Sequence, residues 1–176
     1  MKATGVVRRI DDLGRIVIPK ELRRTLRIRD GESLEIFVDN EMIALKKFSS
    51  MSDIKEISDD LVNTISQNLT KNIIVTDRDK VISSSSNVKN IFLEKNISKY
   101  LESKLRDRKL VKEHDINSVE LIEGINNDYS FVISPIIMNG DAIGTVIIFS
   151  EKEYISELDV KLAIISSSFL GKHIEQ

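Results

Sequence analysis

The sequence predicts an α+β protein of two units, a small basic module of short strands and a larger acidic domain that mixes helices and strands. The charge distribution supports this division. Residues 1–50 carry 11 Lys+Arg against 8 Asp+Glu, whereas residues 51–176 carry 15 against 20. The basic excess is strongest in residues 1–29, with 9 basic and 3 acidic side chains. We therefore expect the first unit, and not the acidic domain, to meet an anionic partner.

Composition excludes several classes of protein. The 176 residues are 41% apolar and 31% charged, which is typical of a folded globular protein. There is no cysteine, and the two histidines, His114 and His173, lie far apart in the sequence. Because no nucleophile–base pair or phosphate-binding loop is present either, we expect no enzymatic activity, no metal site and no cofactor. No apolar run reaches the roughly 18 residues of a membrane span, so we expect a cytoplasmic protein with no membrane partner.

The first unit is predicted to consist of short strands around one short helix. Thr4–Ile10 and Arg15–Ile18 are rich in β-branched residues and flank a turn at Asp11–Gly14, so both are predicted strands. Pro19 opens a helix that runs to Leu26. An alternating run then leads through Asn40–Glu41 into the apolar segment that begins at Met42, which predicts a hairpin.

This first unit is too small to be stable alone. About fifty residues with few large apolar side chains cannot bury enough surface, and no disulfide or metal is available to compensate. Oligomerisation is the remaining source of stability. We therefore expect two copies of residues 1–50 to share one core.

The rest of the chain is predicted to be a linker at residues 51–55 and a second domain at residues 56–176. Its opening helix carries an apolar stripe that includes Ile57, Leu61 and Ile65. The expected elements after it are strands at Asn72–Asp77 and Val81–Ser83, helices within 87–108, a strand at Ser118–Glu123, a hairpin turning at Asn139–Gly140, and a terminal helix from Ser156. Ser156 and Asp159, three residues apart, form the capping-box pattern of a helix start. Pro135 predicts an edge or a bulge in the first hairpin strand.

The terminal helix is apolar around more than one face. Leu158, Leu162, Ile165 and Phe169 form one stripe, and a second apolar set lies beside it. Such a helix usually packs on two sides. We expect one side to cover its own sheet and the other to meet the first helix or a second subunit. If both units associate, the protein is a homotetramer.

The run from Thr4 to Lys47, which contains "TGVVRRIDDLGRIVIPKELRRTL", resembles the AbrB-type transition-state regulators. The resemblance implies a swapped-hairpin β-barrel in which two chains intertwine and bind double-stranded DNA. The arginines that match the family's DNA contacts are Arg8, Arg15, Arg23 and Arg24, with Arg9 and Lys2 as further phosphate contacts. The strand and helix order after residue 54 is similar to a GAF-like α/β domain.

The resemblance implies a transcription regulator of sporulation genes, both activator and repressor, associated with the nucleoid. Two alternatives remain open, an antitoxin with the same N-terminal fold and a small-molecule sensor. A ligand in the GAF-like domain would lie against Ile74, Ile91, Phe92, Phe131, Ile133 and Ile147, although residues of this kind more often form plain core. The helix from Pro19 is short for a major groove, so we expect contacts to phosphates and to DNA shape, and degenerate AT-leaning operators.

Overall fold

The computed structural model describes residues 5–40, 42–47 and 55–174, and the chain divides into two units, Met1–Phe48 and Ser49–Gln176. The first unit contains helix α1 (Lys20–Thr25) and the antiparallel strands β1 (Leu34–Asp39) and β2 (Met42–Lys47). The predicted helix and hairpin are therefore confirmed. The predicted linker at 51–55 lies outside the described residues except for Lys55.

The two strands predicted before α1 are not formed within the single chain. Residues 5–10 and 15–18 are assigned to no strand, and Thr4 lies outside the described residues. A β-branched segment becomes a strand only when a neighbour accepts and donates its backbone hydrogen bonds. In the described part of the first unit, the only strands are β1 and β2, and they pair with each other. Neither pairs with residues 5–10 or 15–18.

The hairpin of the first unit exposes one whole apolar face. Ile36 lies opposite Leu45, and Val38 lies opposite Ile43. These four side chains are 65, 47, 74 and 64% exposed, respectively. No apolar side chain in the described part of this unit is buried. An isolated two-stranded hairpin is at best marginally stable in water, so this face requires a cover.

The second unit is a five-stranded antiparallel sheet with helices on both faces. Its elements are α2 (Lys55–Ser66), β3 (Asn72–Thr76), β4 (Val81–Ser84), α3 (Lys89–Phe92), α4 (Lys99–Asp107), β5 (Val111–Ile122), β6 (Ile125–Met138), β7 (Asp141–Ser150) and α5 (Glu157–Ile174). The strand order is β4-β3-β7-β6-β5. The predicted hairpin turn is confirmed, since Asn139 and Gly140 both have positive φ, at 49° and 81°.

Two core clusters lie on opposite faces of this sheet, as the period of two in the strands requires. On one face Ile73, Val75 and Ile148 pack with α2 and α5. On the other face Ile74 and Ile147 pack with α3 and α4.

Among the described helices, none is both long and apolar enough to cross a membrane.

Strand β5 begins seven residues earlier than the sequence predicts. Residues 111–117 are mostly polar and do not alternate regularly, so their sequence does not predict a strand. In the structure, Val111 nevertheless pairs with Ile133 of β6. The register shifts between Glu113 and Asn117, and within this irregularity the imidazole of His114 hydrogen-bonds the carbonyl of Ile155 at 2.9 Å. An edge strand can carry such a polar, irregular run because one side of it faces water.

Pro135 lies where β6 tolerates it. The pairing of β6 with β5 extends only to Ile133, while Pro135 lies opposite Thr145 of β7. At this point β6 is hydrogen-bonded to β7 but no longer to β5. Its register with β7 shifts between Ile136 and Ile137. The predicted irregularity is therefore present just after Pro135, whereas β6 is an interior strand of the sheet and is unpaired on one side only where β5 has ended.

A buried ion pair joins α5 to the start of the sheet. The Lys71 ammonium lies 2.8 Å from the Asp159 carboxylate, and the two side chains are 9 and 1% exposed. Asp159 also accepts from the backbone and hydroxyl of Ser156, at 2.7 and 2.6 Å, which confirms the predicted capping box. Burial by itself raises the pKa of Asp159, but Lys71 and Ser156 together hold it below its ordinary value.

Replacing Lys71 with methionine is expected to destabilise the second unit by about 3–5 kcal/mol at neutral pH, because it leaves the Asp159 carboxylate buried without its partner. Since the folded state lowers the pKa of Asp159, the stabilisation is present above the ordinary aspartate range and is lost as the pH falls through the folded pKa. Urea unfolding followed by circular dichroism measures both effects. Lys112→Met, which breaks the exposed pair with Glu157, is the control and should change the unfolding free energy much less. Equal effects of the two substitutions would contradict this role for Lys71.

Candidate nucleic-acid interface

The arginines of the first unit lie on two short exposed elements. The first is the turn at residues 11–15, with Arg8 and Arg9 exposed just before it. The second is helix α1 and the residues that follow it. All of these positions are on the surface or half-buried, and none is part of a core.

Asp11 organises the first element. One carboxylate oxygen accepts from the backbone N–H groups of Leu13 and Arg15, at 3.0 and 2.8 Å, and the other accepts from the Arg15 guanidinium at 2.7 Å. Gly14, at φ +75°, donates back to the Asp11 carbonyl. The backbone N–H of Arg15, followed by its guanidinium, holds the pKa of Asp11 below its ordinary value. Asp11 therefore stays ionised at neutral pH and builds the turn, as its position beside Gly14 predicts.

Helix α1 starts after Pro19 and ends in a Schellman motif. The N–H of Ile28 donates to the carbonyl of Arg23 at 2.7 Å, and that of Arg27 donates to Arg24 at 3.3 Å. Arg27 occupies the left-handed position, at φ 53°, where glycine is usual. This tight end limits α1 to six residues and brings the chain directly back towards the hairpin.

Arg23 and Arg24 differ in availability although they are neighbours. Arg23 is half-buried, and its guanidinium is hydrogen-bonded to the exposed carboxylate of Asp30. Arg24 is exposed and makes no ion pair with a residue that the structure describes. Both guanidinium groups remain near the surface, where a phosphate oxygen can replace or join the carboxylate.

The structure thus divides the predicted DNA contacts into two sets. Arg8, Arg9 and Arg15 flank one turn, and Arg23 and Arg24 share one helix, while Lys2 lies outside the described residues. Their assignment as DNA contacts stays a prediction. Sequence reasoning left out three further cations of the second set, Lys20, Arg27 and Arg29. Their signal was the density of Lys and Arg on either side of Leu26.

The predicted ligand wall in the second unit is part of a core cluster. Ile74, Phe92, Phe131, Ile133 and Ile147 are all buried in the cluster beneath α3 and α4. There the ring of Phe149 meets those of Phe92 and Tyr129 edge to face, at 5.5 and 5.0 Å between centroids. Ile91 differs from the prediction, because it is half exposed and lies outside this cluster. A ligand at this wall remains a prediction.

Comparison with known proteins matches both units to described families. The model of "Stage V sporulation protein T C-terminal, transcription factor" matches residues 53–175, and that of "Antidote-toxin recognition MazE, bacterial antitoxin" matches residues 7–50. Stage V sporulation protein T of Bacillus subtilis (strain 168) is 44% identical over 178 residues, which cover all of both chains. The transition state regulatory protein AbrB of the same organism is 54% identical over 63 residues, covering 34% of this chain and 66% of AbrB.

Among solved structures, the GAF domain of an Acinetobacter phosphoenolpyruvate-protein phosphotransferase is similar in fold to the second unit. It has a TM-score of 0.57 at 11% identity and covers 73% of this chain and 84% of that domain. An AbrB-type arginine-bearing module followed by a GAF-like domain defines a two-unit DNA-binding transcription factor. The chain belongs to the stage V sporulation protein T family.

Proposed function

We propose that this chain regulates the transcription of sporulation genes, activating some promoters and repressing others, by binding double-stranded DNA through the arginines of its first unit. The observation that carries the proposal is the exposure of Arg8, Arg15 and Arg24, with Arg23 half-exposed, in a segment that aligns with AbrB. The protein would be associated with the nucleoid, and it would catalyse no reaction.

We propose further that the DNA-binding form is a dimer of first units. The exposed face of the hairpin, which centres on Ile36, Val38 and Ile43, requires a cover, and residues 5–10 and 15–18 require strand partners. A second copy supplies both when the two chains exchange these segments and close one β-barrel. Each chain then contributes four arginines, and a dimer presents eight.

The second interface of the proposed tetramer lies on α5. One face of this helix packs on the sheet through Ala163 and Leu170, and Gly171 lies so close to the Ile137 carbonyl that a Cβ would clash. Its other face carries the predicted stripe. Leu158, Ile165 and Phe169 on it are 60, 63 and 41% exposed. Pairing of two such stripes would join dimers into a tetramer.

The geometry of the first unit favours a particular mode of DNA recognition. Helix α1 has only six residues, so it presents less than two turns to a groove. Arginines on a turn and on a short helix are well suited to phosphates and to narrow minor grooves, which carry little base-specific information. We therefore propose degenerate operators with a preference for AT-rich DNA.

Selection of DNA fragments from a random pool by the intact chain tests this function. The expected result is a broad family of AT-leaning fragments, each bound with similar affinity, because phosphate and shape contacts tolerate many base sequences. Recovery of a single sharp consensus would contradict the proposed mode of recognition. Recovery of no DNA above the background of a protein-free selection would contradict the function itself.

The match of residues 7–50 to MazE makes an antitoxin the second candidate. Antitoxins that share this N-terminal fold end in a disordered acidic tail that blocks a toxin. Here residues 55–174 form a five-stranded sheet with two core clusters, which favours the regulator. A folded GAF-like unit is also compatible with control of DNA binding by a small-molecule effector, bound at the predicted ligand wall of the second unit.

A further inference from the structure

The charge of the second unit is strongly segregated, although its total is acidic. Residues 89–112 contain eight Lys+Arg and three Asp+Glu. The remaining residues from 51 to 176 contain seven Lys+Arg and 17 Asp+Glu. The expectation that the acidic domain as a whole avoids anionic partners therefore overlooks one basic segment.

This segment occupies one side of the sheet. It comprises α3, the connection to α4, α4 itself and the first residues of β5. The helices pack through Phe92, Leu101 and Leu105 on the core cluster that contains Ile74 and Phe149. Because these apolar residues point inward, the charged residues between them point outward.

Six cations of the segment form what we term the basic face: Lys89, Lys95, Lys99, Lys104, Arg106 and Lys109. All are exposed except Lys104, which is half-buried with its ammonium 5.2 Å from the centre of the Tyr100 ring. None of the six makes an ion pair with a residue in the described part of the chain. Arg108 and Lys112, in contrast, are paired with Asp141 and Glu157.

Helix stability does not explain the basic face. Cations near the end of α4, such as Lys104 and Arg106, are favoured by the negative end of the helix dipole. Lys99, however, is the first residue of α4, where the dipole disfavours a positive charge. Unpaired like charges on one surface also repel one another. Both features cost stability, and an anionic partner would offset the cost.

We propose that the basic face is a second DNA-binding surface, which contacts the phosphate backbone of the same DNA molecule that the first unit holds. The proposal rests on the proposed function, since the two units belong to one chain and DNA bound by the first unit is therefore tethered to the second. Five of the six cations are lysines, and they lie on two short helices and on the residues that follow each helix. This suits a backbone contact, because a lysine ammonium offers a point charge and no fixed pattern for base edges.

The test is a titration of the intact chain on an AT-rich duplex of about 60 base pairs over a range of salt concentrations. The test variant is Arg106→Gln/Lys109→Gln. If each lost side chain neutralises one phosphate, the slope of log K against log salt becomes shallower by roughly 0.9 per contact, and affinity near 0.1 M salt falls at least tenfold. Asp107→Asn, which removes a carboxylate from the same turn, should tighten binding.

The matched control is Lys152→Gln/Lys172→Gln, which removes the same charge from exposed positions outside the basic face. It should leave the slope within about 0.5 of wild type. A test variant with the slope and affinity of the control would overturn the proposal, and so would equal losses in both variants. Arg23→Ala/Arg24→Ala in the same series separates the two claims, because failure of the basic face leaves the effect of that variant intact.

Discussion

Replacing Arg23 and Arg24 together with alanine is expected to weaken DNA binding by at least a hundredfold near 0.1 M salt and to make the salt dependence much shallower. A dimer loses four of its eight proposed guanidinium contacts. At roughly 0.9 per phosphate, the loss of four contacts should make the slope of log K against log salt shallower by about 3.6. Fluorescence anisotropy of labelled duplex DNA measures both quantities.

Two controls separate loss of contact from loss of fold. Arg23 bonds to Asp30, so its removal could disturb the loop after α1. Asp30→Asn removes the carboxylate charge but keeps the cation, and it should strengthen DNA binding because Arg23 is held less tightly. Circular dichroism and solution mass must remain those of wild type in the double variant. Unchanged affinity of a correctly folded double variant would refute the assignment of these arginines.

Ile36→Glu is expected to separate the first units and abolish DNA binding. Ile36 lies at the centre of the exposed hairpin face, opposite Leu45. Burial of each such side chain at a shared interface contributes roughly 1.5–3 kcal/mol, and a carboxylate there must also lose its hydration. The variant should form a two-chain species joined through α5 in place of the four-chain species of wild type. Light scattering with size-exclusion chromatography measures the mass.

Glu35→Gln is the matched control, because Glu35 is the neighbouring residue and points to the opposite face of β1. It should keep the mass of wild type. Ile165→Glu, on the exposed stripe of α5, should also give a two-chain species, but one that still binds DNA through its joined first units. An Ile36→Glu protein with the mass and affinity of wild type would show that the hairpin face is not the interface.

Local signals predicted much of this structure. The turn at Asn139–Gly140 and the capping box of Ser156 and Asp159 depend on neighbouring residues, and both are present. The strands expected before α1 depend on hydrogen bonds from elsewhere, and a single chain does not supply them. The early part of β5 was missed because His114 and its polar neighbours lie on an irregular edge and do not alternate.

The candidate side chains could be selected from the sequence, but their ion pairs could not. The density of arginine and the resemblance to AbrB-type regulators selected these side chains, and their role as DNA contacts stays a prediction. Two ion pairs, Asp11 with Arg15 and Asp30 with Arg23, depend on the geometry of two turns. The spacing of residues in the sequence does not predict that geometry. The basic face was missed for a different reason. The net charge of the whole second unit is acidic, because the carboxylates of the other elements outnumber the cations around α4.

The salt dependence of DNA binding by the intact wild-type chain tests most directly whether paired first units hold DNA by their arginines. With six to eight phosphate contacts, affinity for an AT-rich duplex should fall on the order of a thousandfold or more between roughly 50 and 200 mM salt. The bound species should contain an even number of chains. Binding that is insensitive to salt, or a single chain bound to DNA, would contradict this mechanism.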